Sequence, residues 1–384
     1  MRFSRSSMVA VLTLAAVGSW VSAASAAFTA GNLVVSRVGD GSVALTSNSA
    51  AVFLDEYTTV GGSPVGTVSL PTATTGSAPT SGNRYLVNSG SATSEAALTR
   101  SADGHYLTIA GYNSLAGVAG VVGTASSAVA RVVGLIDAYG NVDTTTAIST
   151  LYSGNNIRSV VTVDGSAFWT AGPTNGVSYV TLGGGTTTQL STTVVNTRVA
   201  NIFNNQLFVS TSSGTFKGVN TVGTGLPTTS GQTIVNPTGF NAGSTSAYDY
   251  VLLDTNADTL PDVAYLADDS ANSNGGIQKW ILSGTTWSRS YVIGTGVANI
   301  GARSLTIDDS GNIYAITAEG TTNRLIKVVD GGSTALSTAT TLATASTNEI
   351  FRGVDFAPVA APEPASLGLL GLGVVGLIGR RKSR

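Results

Sequence analysis

The sequence predicts an all-β chain, a single β-propeller of six four-stranded blades closed by strands from both chain ends. An N-terminal signal helix and a short C-terminal apolar helix flank it. Three observations predict this. A hairpin pattern, alternating apolar residues around a short Asp, Asn or Gly turn, recurs along the body. It is clearest at 303–317, where Leu305 and Ile307 precede the turn at 309–312 and Ile313 and Ala315 follow it. Successive copies lie about 40 to 60 residues apart, the period of propeller blades with loop insertions. Composition agrees: charged residues are 10% and Gly numbers 47 of 384, too few charges for amphipathic helices and enough glycine for many tight turns.

The first element, residues 1–27, has a basic start (Arg2, Arg5), an apolar run from Met8 to Val21 and small residues at 24–26. These are the parts of a secretion signal, with cleavage after Ala26 or Ala27. The apolar run is too short for a membrane-spanning anchor. Segments 31–38, 51–57 and 65–70 then read as strands, and 72–82 as a Thr, Ser, Gly and Pro loop. A hairpin spans 96–101 and 106–110. Residues 114–128, small and apolar, read as an extended loop before strands at 131–136 and 145–148.

The hairpin pattern returns at 158–169 and at 198–209, where Asn204 and Asn205 take the turn. A longer version runs from 248–253 through an acidic loop to 263–266, followed by strands at 278–282 and 287–293. After the copy at 303–317 come strands at 325–329 and near Thr341. Segment 351–356 reads as a first strand lacking its second, and 32–35 as a second lacking its first. Pairing them closes the ring and removes exposed sheet edges. That composite blade makes six, and a seventh has room between Val65 and Ala96. A β-sandwich or β-helix is the competing architecture. The domain boundaries that follow are a signal peptide at 1–27, a propeller at 28–358 and a tail at 359–384.

The tail carries Pro362, Glu363 and Pro364, an apolar run at 367–379, and a basic cluster containing Arg380 and Arg381. Together these resemble the PEP-CTERM sorting signal of Gram-negative exported proteins. The resemblance implies export through the inner membrane, a transient stay there through 366–379 with the basic cluster held on the cytoplasmic side, and cutting near Pro362 by an exosortase-type enzyme. Delivery to the cell surface or an exopolysaccharide matrix follows from it. An ordinary C-terminal anchor is the plainer reading. The glycine pattern at 371–376 mimics a dinucleotide fingerprint but lies inside the apolar run with no strand before it.

Charge excludes one class of partner. Six of the 19 basic residues lie in the two removable ends, which leaves 13 against 20 or 21 acidic ones in the body, a net charge of −7 or −8. Nucleic acid needs a basic face, so it is not an expected partner. With no Cys and one His, neither a disulfide framework nor a multi-histidine or thiolate metal site is available.

Asp254, Asn256, Asp258, the carbonyl of Leu260 and Asp262 follow the opening of a calcium loop. They resemble the Asp-x-Asn-x-Asp loops of calcium-binding propeller repeats, although Thr259 stands where the turn wants Gly and no Glu occupies the twelfth position. A solvated acidic loop is the bland alternative. Arg158, Arg198, Arg303 and Arg352 begin four innermost strands, so the fold aims four guanidinium groups at one mouth of the central channel. They read as a pocket for an acidic sugar or polymer, or as salt bridges and packing between blades. His105 sits in a turn and reads as solvent-exposed, with no acidic partner at a meaningful spacing. Trp169, Trp280 and Trp287 either stack on sugars or fill gaps between blades.

Short Asp-Gly or Asn turns followed by an aromatic resemble lactonase-like and NHL-type propellers. The resemblance implies the fold and carries no enzyme signature. Two functions remain. The first is a non-enzymatic surface or matrix scaffold that binds polysaccharide or protein partners. The second is a calcium-dependent propeller hydrolase of lactonase or esterase type. An arginine ring at the channel mouth favours the former, and acidic or amide side chains gathered around a metal favour the latter.

Overall fold

The computed structural model describes residues 27–72, 82–242 and 246–361. The expected signal and tail helices, and Pro362, Glu363, Pro364, Arg380 and Arg381 with them, lie outside the described residues. Within these, six antiparallel sheets follow one another, each with a path of four strands in sequential order from the inside outward, and blade 2 adds a fifth short strand, Val142–Asp143, beside its third. Blade 1 is the composite: Ile350–Phe356 innermost, then Leu33–Val38, Val52–Tyr57 and Gly66–Ser69. The inner strands of blades 2 to 6 are Thr99–Arg100, Ser159–Thr162, Thr197–Phe203, Ala247–Leu253 and Ala302–Ile307. Each lies beside the inner strand of the next blade, and that of blade 6 lies beside that of blade 1. The ring is closed.

Closure follows the expected pairing. Leu33 stands opposite Phe356, Val35 opposite Val354 and Val38 opposite Ile350, with one bulge between Ser36 and Arg37. Turn chemistry sets the hairpins. Gly311 adopts φ 82°, and in blade 4 Asn204 and Asn205 take φ 45° and 59°, the left-handed pair that joins two strands by a tight turn. Both faces of a blade are covered, so 207–211 is buried throughout and alternate side chains pack on opposite neighbours. Leu207, Val209 and Val222 of blade 4 pack on Val161, Trp169 and Ala171 of blade 3, and Leu305, Ile313 and Ala315 of blade 6 on Tyr265, Ala267 and Ile277 of blade 5.

Two details differ from the sequence reading. The stretch with room for a seventh blade supplies the outer strand of blade 1 and a two-residue strand, Asn88–Ser89, that pairs with Ser49–Ala50. Six blades is the count among the described residues. The loop at 114–128 is not wholly extended, because Val121–Gly123 forms a 3-10 turn. One buried cation holds it in place: Arg131 donates to the loop carbonyls of Val122 (3.2 Å) and Thr124 (2.9 Å) and to those of Val129 and Asn155 (both 2.7 Å).

Both ends of the described chain leave by one face. Ala357, just past the inner strand of blade 1, donates its N–H to the carbonyl of Asn32 at 2.8 Å. Val359 donates to Gly104 at 2.9 Å, in the turn that follows the inner strand of blade 2. That face is opposite the one where the inner strands begin.

Candidate functional site

Repeated hydrogen bonds between inner strands align the blades residue by residue. Ser159 Oγ accepts the N–H of Ala200 at 2.9 Å, Asp249 that of Leu305 at 3.3 Å, and Ser304 that of Val354 at 3.1 Å. In each case the acceptor directly follows the position at issue. That position holds Arg158 in blade 3, Arg198 in blade 4, Arg303 in blade 6 and Arg352 in blade 1. Blade 5 places Tyr248 there. Gly353 of blade 1 approaches Leu98 at the same offset, which gives blade 2 Ala96.

Because the inner strands share one direction, these six side chains meet at one end of the channel. Arg198 lies over the Tyr248 ring with Cζ 3.8 Å from its centroid, and Arg303 Cζ lies 5.9 Å from the same centroid. Arg158 Nη1 donates to Asn196 Oδ1 at 2.7 Å and to the Thr197 carbonyl at 2.9 Å, and Arg198 Nη1 to Ser246 Oγ at 3.1 Å and the Ala247 carbonyl at 2.9 Å. These bonds reach into the following blade, so the arginines also tie blades together. Arg303 has an acidic partner, Asp269, at 3.2 Å. Among the described residues no carboxylate lies within ion-pair distance of the other three.

Three donors are left over. Nε of Arg158 and Nε and Nη1 of Arg352 are buried without an acceptor, while Arg352 Nη2 donates to the Gly90 carbonyl at 3.0 Å. Burial pushes both guanidinium groups down to about 10. The charge of Arg198 adds to the effect at Arg158, and at Arg352 Glu95 opposes it while Arg303 adds to it.

Three carboxylates on the same inner segments, Glu95, Asp249 and Asp355, are buried within and between the blades. Glu95, pushed up to about 7 by burial, accepts from the Tyr112 hydroxyl and, at 2.9 Å, from the Ser89 N–H. Asp249, also raised to about 7 by burial, accepts from Ser304 Oγ at 2.8 Å and from the Tyr250 N–H at 2.9 Å. Asp355, raised by burial, takes the Arg100 N–H at 2.7 Å and Thr306 Oγ1 at 3.1 Å. None of these, nor Tyr248, was foreseen. The signal was available in the aligned inner strands, where Asp249 stands in the place of Ser159 and Ser304.

The calcium loop finds no support in its own geometry. Asp254 accepts the N–H groups of Asp258 and Thr259 (3.2 and 2.8 Å), Asp258 that of Leu260 (2.8 Å), and Asp262 the N–H and hydroxyl of Thr255 (3.0 and 2.9 Å). Thr259 takes the left-handed conformation, φ 76°, that a glycine would supply. The oxygens are thus turned on the loop's own amides. No group of three acidic or histidine side chains able to hold a metal occurs among the described residues.

His105 corrects an expectation, because it is half-buried rather than free in solvent. Its Nδ1 lies 2.9 Å from the Val359 carbonyl and helps fix the outgoing chain. The tryptophans fill gaps between blades. Trp169 donates to the Pro227 carbonyl at 2.8 Å, and Trp280 and Trp287 flank Phe240 with ring centroids 4.9 and 4.7 Å away.

Residues 360–382 match the family model of the PEP-CTERM protein-sorting motif. The match marks the chain for export and surface or extracellular targeting in Gram-negative bacteria, and for recognition by an exosortase-type processing enzyme. No helix among the described residues is long and apolar enough to cross a membrane. The stretch expected to do so, 366–379, lies outside them. No curated protein matches the chain.

Solved structures similar to it include two provisionally named 6-phosphogluconolactonases. The one from Bacteroides uniformis shows 13% identity, covers 87% of this chain and 85% of the other, and has a TM-score of 0.43. The one from Bacteroides fragilis shows 12% identity, covers 82% of each chain, and has a TM-score of 0.45. A protein from Lactobacillus plantarum shows 10% identity over 83% of each chain, with a TM-score of 0.45. At these values nothing about activity transfers to this chain.

Proposed function

We propose that the chain is an exported surface or matrix scaffold, cut at both ends, whose propeller body at about 28–358 binds polysaccharide or protein partners at the arginine mouth and catalyses no reaction. The observation that carries this reading is the company of Arg158, Arg198 and Arg352. In a body with more acids than bases, three guanidinium groups without a carboxylate partner lie around one tyrosine. Such an arrangement offers charge-assisted hydrogen bonds to anionic groups. The calcium-dependent hydrolase reading needed acidic or amide side chains around a metal at the mouth, and guanidinium groups stand there instead.

The test is isolation of the processed protein from the surface of the producing cell. Co-elution with exopolysaccharide or a surface protein, weakened by added salt, is the expected result. Calcium-dependent turnover of lactones or esters, with no partner retained, would overturn the proposal. Mass spectrometry of the same material checks the two cuts, after Ala26 or Ala27 and near Pro362.

A further inference from the structure

Beside the arginine mouth, loops from blades 6, 1 and 2 enclose a cleft of about 500 Å³. One part of its wall is hydroxyl and amide, from Ser91, Thr93, Thr321, Ser346, Thr347 and Asn348, and another is apolar, from Ala44, Leu45 and Ile350. Arg352 belongs to both the cleft and the mouth. This arginine is 4% exposed, and its Nε and Nη1 have no acceptor. Glu349 is the one carboxylate in the wall, and its Oε1 is held by Arg37 Nη1 at 2.9 Å. A buried cation with idle donors is unfavourable until an anion supplies the missing oxygens.

We propose that this cleft is a subsite for a sugar bearing a carboxylate, the acid group on Arg352 and the ring hydroxyls on the Ser, Thr and Asn wall. The assignment rests on the polysaccharide-binding reading above and narrows it. A neutral sugar would satisfy the wall and leave the arginine idle. A small free anion would satisfy the arginine and leave the wall solvated. A uronic acid unit meets both, and the size of the cleft admits two or three units of a chain.

The test uses the full processed protein with three probes: a galacturonic acid trimer, the same trimer with its carboxyl groups reduced to alcohols, and the reduced trimer carrying sulfate esters. Calorimetry and saturation-transfer NMR should show the acid trimer binding, and the reduced one weaker by about tenfold or more, the scale of a hydrogen bond to a charged group. Arg352→Gln should abolish that preference. Because Arg352 is buried and its replacement can unfold the protein, Ser346→Tyr provides a second reading. It fills the cleft from an exposed rim position and should remove acid-trimer binding without lowering the thermal midpoint.

Equal affinity for the acid and reduced trimers, stronger binding of the sulfated trimer, or a Ser346→Tyr protein that binds the acid trimer unchanged would each overturn the proposal. A protein that still retains exopolysaccharide while ignoring the acid trimer would sink this subsite alone. One that retains no partner at all would sink the scaffold reading.

Discussion

Tyr248 occupies in blade 5 the place that four other blades give to arginine, and Arg198 of the preceding blade lies over its ring with Cζ 3.8 Å from the centroid. The contact joins the mouths of two blades through a cation and a π face. Replacing Tyr248 by Leu removes the face and keeps most of the volume. A double-mutant cycle with Arg198→Met, read by urea unfolding, should give a coupling of about 0.5–2 kcal/mol. A coupling near zero would show the stacking to be incidental.

Blades 5 and 6 share a clasp. Asp330 accepts from Lys279 Nζ at 2.8 Å and from the hydroxyls of Tyr265 and Tyr291 at 2.6 and 2.5 Å. These partners hold its pKa well below the ordinary carboxylate value, against the effect of burial. A depressed folded-state pKa gives stability that is present above the unfolded value and lost as pH falls through the folded one. Asp330→Asn should therefore lose about 1–3 kcal/mol at neutral pH, and less in acid below about pH 4. Urea midpoints at pH 3 and pH 7 check this.

Asp249 works in the opposite direction. Its folded-state pKa is raised to about 7, so the native protein binds a proton that the unfolded chain has already released, and stability falls as pH rises from about 4 to 7. Glu95, with the same raised value, adds to that slope. Asp355, also raised by burial, contributes with the same sign, so Asp249→Asn, which keeps an oxygen for Ser304 and Tyr250, should flatten the slope without abolishing it. The readout is the difference in unfolding free energy between pH 4.5 and pH 8. An unchanged slope would remove Asp249 from the account.

Gly353 marks where the composite blade meets its neighbour. A Cβ there would lie 2.4 Å from the Leu98 amide nitrogen and 3.0 Å from the Ala96 carbonyl oxygen, both backbone atoms. Gly353→Ala should cost about 1–3 kcal/mol by overpacking, with the thermal midpoint as the measure. A neutral outcome would mean that blades 1 and 2 part easily, contrary to a closed ring.

Sequence made the ring legible because its grammar is local. Alternation and turn residues place Leu305, Ile307 and Ile313 without reference to anything distant, and the orphan halves at 351–356 and 32–35 could be matched because each lacked what the other had. The four arginines were legible for the same reason, since each starts an inner strand. Tyr248 was not, because an aromatic in an arginine's place becomes meaningful only once blades are aligned by cross-blade bonds such as Ser304 to Val354. The cleft beside Arg352 was invisible too. It is assembled from loops of three blades that lie hundreds of residues apart in the chain, and no short pattern encodes that meeting. The acidic loop is legible in two ways, because Asp254 and Asp258 at metal-like spacing are equally suited to capping their own amides, as they do here.

The anchoring of Val359 by Gly104 and His105 turns the propeller into an object with a stem and a crown. Pro362 is three residues beyond Val359, a reach of at most about 11 Å, so an enzyme that recognises the Pro-Glu-Pro triplet has to approach within that distance of Val359. The arginine crown points the other way. On the proposed reading, a protein held by its stem, in transit or after delivery, keeps its mouth turned toward the surroundings, and the machinery of its release and the partners of its working life do not compete for the same ground.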